Sequence, residues 1–98
     1  MATTRRAANT RPEPEPHANH ISQLELVDLF HRRAVHELVI VEISPLFYQL
    51  EAIISWRSGR WTLMGARGPR NFRSLETLAR HLKTIGAGST IIRLELLT

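Results

Sequence analysis

Between Arg57 and Lys83 seven basic side chains (Arg57, Arg60, Arg67, Arg70, Arg73, Arg80 and Lys83) stand against a single acid, Glu76. This third of the chain is net +6, whereas the whole sequence sums to only +4. Basic groups at that density attract phosphates and release counterions when they bind, so affinity falls with salt. The spacing places Arg57 and Arg60 at a hairpin tip, Arg67, Arg70 and Arg73 in the loop that follows, and Arg80 and Lys83 on a helix beyond it. One basic surface is the expectation, with nucleic acid as its ligand or, alternatively, an acidic protein partner.

Other chemistries find less support. Gly65-Ala66-Arg67-Gly68-Pro69-Arg70 is glycine-rich but lacks the Gly-Lys-Ser/Thr ending of a phosphate-binding loop. His17, His20, His31, His36 and His81 do not show the spacing of a structural zinc site, and there is no cysteine to supply a thiolate. Asp28 is the only aspartate, and no Gly-x-Ser-x-Gly elbow is present. Glu37, Glu42 and Glu51 could meet on adjacent strands as hydrolase carboxylates do, but strand edges and solvated faces place glutamates in the same way. The sequence therefore points to a protein that is not an enzyme and uses no metal or cofactor.

The elements that must hold the arginines read from periodicity. Tyr48, Leu50, Ala52, Ile54 and Trp56 alternate with Gln49, Glu51 and Ser55, the pattern of a half-buried strand. A turn at Arg57-Ser58-Gly59-Arg60 then leads to a return strand with Trp61, Leu63 and Gly65. Trp56 and Trp61 flank this turn, where they would pair across the hairpin.

Upstream, Ser22-Gln23-Leu24-Glu25 fits a capping box, with Ile21 and Leu26 as a hydrophobic staple opening a helix that runs to about Arg33. Leu38-Val39-Ile40-Val41 is apolar on both faces, as an internal strand is, and Ser44-Pro45 ends it. Downstream, Ser74 caps a second helix with the stripe Leu75, Leu78, Ala79, Leu82 and Ile85, and Gly86 suits its left-handed end. Ser89 to Leu97 reads as a last strand.

The fold class is α+β in the order α-β-β-β-α-β, with a four-stranded, mostly antiparallel sheet and two helices on one face. Helix two would carry the chain back so that the last strand pairs parallel to the first, making Leu38–Val41 internal. Residues 1–20, with their prolines and few bulky apolar groups, are expected to be a disordered tail, and residues 21–98 to be one domain. With 43% hydrophobic residues in 98, the core is small. Two short helices leave Val39, Val41 and Ile43 or their opposite-face neighbours uncovered, so a homodimer is expected. No apolar run approaches the roughly 18 residues of a membrane span, and the lack of cysteine suits the cytoplasm.

Two resemblances add to this reading. Asn71-Phe72-Arg73-Ser74-Leu75-Glu76-Thr77-Leu78-Ala79-Arg80, continuing through Ile85-Gly86 to a closing apolar strand, resembles the C-terminal half of small partition-associated proteins of bacterial plasmids and other mobile elements. The opening Ile21-Ser22-Gln23-Leu24-Glu25-Leu26 agrees with that family's start, and the likeness spans about residues 21 to 97. It implies an accessory role in DNA maintenance. The order α-β-β-β-α with Gly68-Pro69 before a basic helix is similar to a double-stranded-RNA-binding domain, which implies RNA binding as an alternative. The chain departs from that pattern where Ser74-Leu75-Glu76-Thr77 replaces a lysine cluster, and in its extra final strand.

Overall fold

A computed structural model describes residues 19–98. It is an α+β fold of two helices and one mixed sheet. The elements are β1 (His20–Ile21), α1 (Gln23–His31), β2 (Val35–Ser44), β3 (Phe47–Ile54), β4 (Trp61–Gly65), β5 (Gly68–Pro69), β6 (Asn71–Phe72), α2 (Leu75–Thr84) and β7 (Ile92–Glu95). The sheet runs β1-β4-β3-β2-β7, with β5 paired to β4 and β6 paired to β3.

Four of these strands, β2, β3, β4 and β7, are those expected. β2, β3 and β4 form the antiparallel meander, and β7 lies parallel to β2 in the register Leu38↔Ile92 to Val41↔Glu95. β2 is therefore internal, as its apolar character requires. The expected four-stranded sheet is corrected to seven strands among the described residues, because three two-residue strands join it. Two residues carry no periodicity, and these segments pair because neighbouring backbone edges offer unsatisfied N–H and C=O groups.

One of the three lies at the expected domain boundary. His20 pairs with Thr62, and the Asn19 carbonyl accepts from the Thr62 N–H at 2.9 Å. Asn19 and His20 thus join the sheet ahead of Ile21, since backbone pairing on β4 needs no apolar side chain. The rest of the expected tail lies outside the described residues.

Both helices start as their caps dictate. Ser22 and Ser74 accept from the N–H groups of Glu25 (3.1 Å) and Thr77 (3.0 Å). Only half of the capping box forms at α1, because the Glu25 carboxylate turns away to Arg57 at 2.6 Å. At the other end of α2, Gly86 takes φ +85°, a conformation that a Cβ would strain.

Leu26 and Leu29 of α1 and Leu78 and Leu82 of α2 enter one buried cluster with Leu38, Ile40, Leu50, Ala52, Ile54, Leu63 and Phe72. The register Leu38↔Ala52 and Ile40↔Leu50 puts these strand residues on a single face, so the two helices share that face.

The β3–β4 connection is longer than expected. β3 ends at Ile54, because the Ala34 carbonyl takes the Ser55 N–H (2.8 Å) and the Ile54 carbonyl takes that of Arg57 (3.2 Å). Trp56 therefore stands exposed in the turn and makes no cross-strand pair with Trp61, whose register partner is Ala52. Among the described residues no helix is long and apolar enough to cross a membrane.

Candidate functional site

The sheet face away from the helices carries a charge network that the sequence reading did not foresee. On this face lie Glu37, Val39 and Val41 of β2, Glu51 of β3, and Arg93 and Glu95 of β7, as the ladder Glu51↔Val39↔Arg93 requires. Arg60, from the end of the β3–β4 turn, donates Nε to Glu51 at 2.5 Å. Its Nη1 and Nη2 donate to the two carboxylate oxygens of Glu95 at 2.9 and 2.7 Å. Because β2 lies between β3 and β7, the guanidinium bridges across that strand. Arg93 adds ion pairs to Glu37 (3.4 Å) and Glu95 (3.6 Å).

Charge-assisted, bidentate contacts of this kind are stronger than neutral hydrogen bonds. The Glu95 carboxylate hydrogen-bonded by Arg60 stays ionised below the usual carboxylate range. Its hydrogen bond to Glu95 and then the one to Glu51 raise the Arg60 pKa above an ordinary guanidinium's, against the opposing effect of burial.

Val39 is 0% exposed although it lies outside the helix-covered cluster. The expectation that Val39, Val41 and Ile43 or their opposite-face neighbours are uncovered is corrected for Val39, whereas Val41 is half-buried and Ile43 is exposed. On β2 and β3 a charged residue on this face is followed two positions on by an apolar one, in Glu37-x-Val39 and Glu51-x-Ile53, while β7 places the charged pair Arg93-x-Glu95 there. Long side chains from these positions cover apolar surface with their stems while keeping their charges near water. That alternation was the signal available in the sequence. Glu37 and Glu51 share this face, each paired to an arginine, whereas Glu42 lies on the other face in register with Tyr48.

The seven basic residues are spread over both ends of β4 and the flank of α2, and they differ in their partners. Arg57 and Arg60 sit at one end of β4 and Arg67 at the other, about 17 Å apart along a five-residue strand. Arg57 is ion-paired to Glu25 and lies 4.8 Å over the Trp61 ring, while Arg60 belongs to the network. Arg80 pairs with Glu76 one helical turn earlier, and Lys83 lies beside it on the exposed flank of α2.

Arg67, Arg70 and Arg73 are different. All three are exposed, and among the described residues none of them ion-pairs with a carboxylate. Arg67 occupies the tight turn between β4 and β5, whose ladder closes with Gly65↔Gly68. Arg70 holds its guanidinium 5.2 Å from the Phe72 ring and donates to the Gln23 side chain at 3.3 Å. Arg73 holds its own 5.8 Å from Phe47. Tyr48↔Phe72 pairing of β3 with β6 brings these two aromatic platforms to the same end of the sheet.

The His81 ring of α2 lies 5.3 Å from that of Phe72, tilted by 49°, and its Nε2 is buried with no hydrogen-bond partner among the described residues. Burial first, and the nearby Arg70 charge second, lower its pKa below that of an ordinary histidine. Among the described residues no three His, Cys, Asp or Glu side chains are grouped so as to hold a metal ion.

Comparison of the chain with family models, with curated proteins and with solved structures found no match to any of them.

Proposed function

We propose that this chain is a non-enzymatic, nucleic-acid-associated accessory protein that meets the phosphate backbone through Arg67, Arg70 and Arg73. The observation that carries the proposal is the contrast among the arginines: those at the hairpin tip are neutralised by carboxylates, whereas these three are exposed and, among the described residues, without one. Two of them also lie over aromatic rings, which limits how far they must be ordered when they bind. Arg80 and Lys83 extend the positive field along α2, and Arg57 and Arg60 serve the fold. The resemblance to plasmid partition-associated proteins, which rests on the residues quoted above, makes DNA of a plasmid or mobile element the proposed setting.

The test is the salt dependence of binding to duplex DNA, single strands and RNA. Each phosphate contact contributes a slope of about −0.9 in log affinity against log salt on a duplex. Replacing Arg67 and Arg70 by alanine should flatten that slope by roughly 1.8, while Arg57→Ala should leave it nearly unchanged. Wild-type protein without salt-sensitive binding to any of the three would overturn the proposal, and an acidic protein partner would then be the ligand to seek.

A further inference from the structure

Strand β7 ends the sheet, and among the described residues nothing pairs with its outer edge. Proteins usually blunt such an edge with proline, lysine, a bulge or extreme shortness. The opposite edge, β1, has only two residues. β7 has four, Ile92-Arg93-Leu94-Glu95, and its ladder with β2 shows no register shift.

On the helix-bearing side of the sheet Ile92 and Leu94 remain 45% and 43% exposed, and Leu96 beyond them 56%. Ile92 also borders a groove of about 490 Å³ beneath α2, lined further by Ala79, Leu82 and Ala87. A row of exposed apolar side chains thus runs along this edge.

We infer that β7 is the contact through which two copies of this chain associate, pairing antiparallel about a two-fold axis at Leu94 so that the two sheets become one. Backbone geometry and charge agree on this register. The Leu38 N–H donates to the Ile91 carbonyl at 2.9 Å. In a parallel ladder alternate residues face the neighbour, so Arg93 turns its peptide groups to β2 while Ile92 and Leu94 turn theirs to the open edge. With Leu94 opposite its own copy, each Leu94 exchanges both backbone hydrogen bonds with the other.

On one face Leu94 then meets Leu94, and Ile92 meets Leu96. On the other, Arg93 stands opposite the second copy's Glu95, twice by symmetry. The network supports that exchange, because its three carboxylates exceed its two guanidinium groups and both Arg93 and Glu95 are partly exposed. Shifting the axis to Arg93 or to Glu95 would set like charges against each other, which destabilises a sheet pair. This association does not depend on what the arginine loop binds.

Sedimentation of the full chain at micromolar concentration should show a dimer. Leu94→Pro should convert it to a monomer with an unchanged circular dichroism spectrum, because the lost N–H faces the open edge rather than β2. Arg93→Glu, which sets glutamate against Glu95, should weaken the dimer without touching that backbone.

Register is read independently by cysteine, since the described chain has none. Leu94→Cys should oxidise to a covalent dimer, because directly opposed residues of this type lie about 5.5 Å apart between Cα atoms, within disulfide reach. Ile92→Cys should not, its copy being displaced by four residues, about 14 Å. A wild-type monomer would overturn the inference, including one whose β7 amides are protected from exchange because the chain covers its own edge. So would a dimer that Leu94→Pro leaves intact, or one in which Ile92→Cys cross-links as readily as Leu94→Cys.

Discussion

Val39 offers the sharpest test of the charge network, because its burial depends on side chains that a surface reading would treat as free. Val39→Ala removes two carbons from a site with 0% exposure. At about 0.8 kcal/mol per buried methylene the transfer loss is roughly 1.6 kcal/mol, and an unfilled cavity brings the cost to about 2 kcal/mol. In a domain of this size that lowers the thermal midpoint by roughly 8–16 °C. The assay is urea unfolding followed by the fluorescence of half-buried Trp61, at fixed protein concentration so that any association enters both proteins equally.

A double-mutant cycle with Arg60→Ala isolates the cause. If the guanidinium bridging Glu51 and Glu95 keeps water from Val39, the two losses should be non-additive by about 0.5 kcal/mol or more, as for residues in contact. A Val39→Ala cost below about 0.5 kcal/mol, typical of surface substitutions, would refute the sealed face. Strict additivity would refute the role of Arg60.

Two further predictions concern α2. Ser74→Ala removes the side-chain acceptor for the Thr77 N–H and should cost about 1 kcal/mol in urea unfolding, whereas Ser74→Asp, which keeps an acceptor, should cost little. His81, with its pKa lowered by burial and by Arg70, binds its proton more readily in the unfolded chain. Stability should therefore fall as pH drops from about 6.5 toward the lower folded value, and His81→Leu should remove that part of the slope. Equal slopes for the two proteins over that range would refute the assignment.

How much of this was legible in the sequence varies by element. The caps at Ser22 and Ser74, the left-handed Gly86 and the internal β2 depend on local chemistry or on a repeat several residues long, and the structure has each of them. The parallel return of β7 to β2 followed from the need to flank an apolar strand on both sides. By contrast β1, β5 and β6 were invisible, because two paired residues leave no pattern and their partners were set by where the β4 and β3 edges lay.

The arginines show the same division. Their number and clustering are properties of the sequence by itself, and so is the expectation of phosphate or acidic ligands. Which of them remain available depends on distances that only the fold creates. Arg60 and Glu95 lie far apart in the chain, yet they meet because β3, β2 and β7 are consecutive in the sheet. The carboxylates that neutralise Arg57 and Arg60 come from α1, β3 and β7, whereas Arg67, Arg70 and Arg73 leave the sheet on a loop that no acid among the described residues reaches. Local sequence could specify the charges; only tertiary packing could decide which were bound inside the molecule, because ion pairing depends on separation in space rather than along the chain.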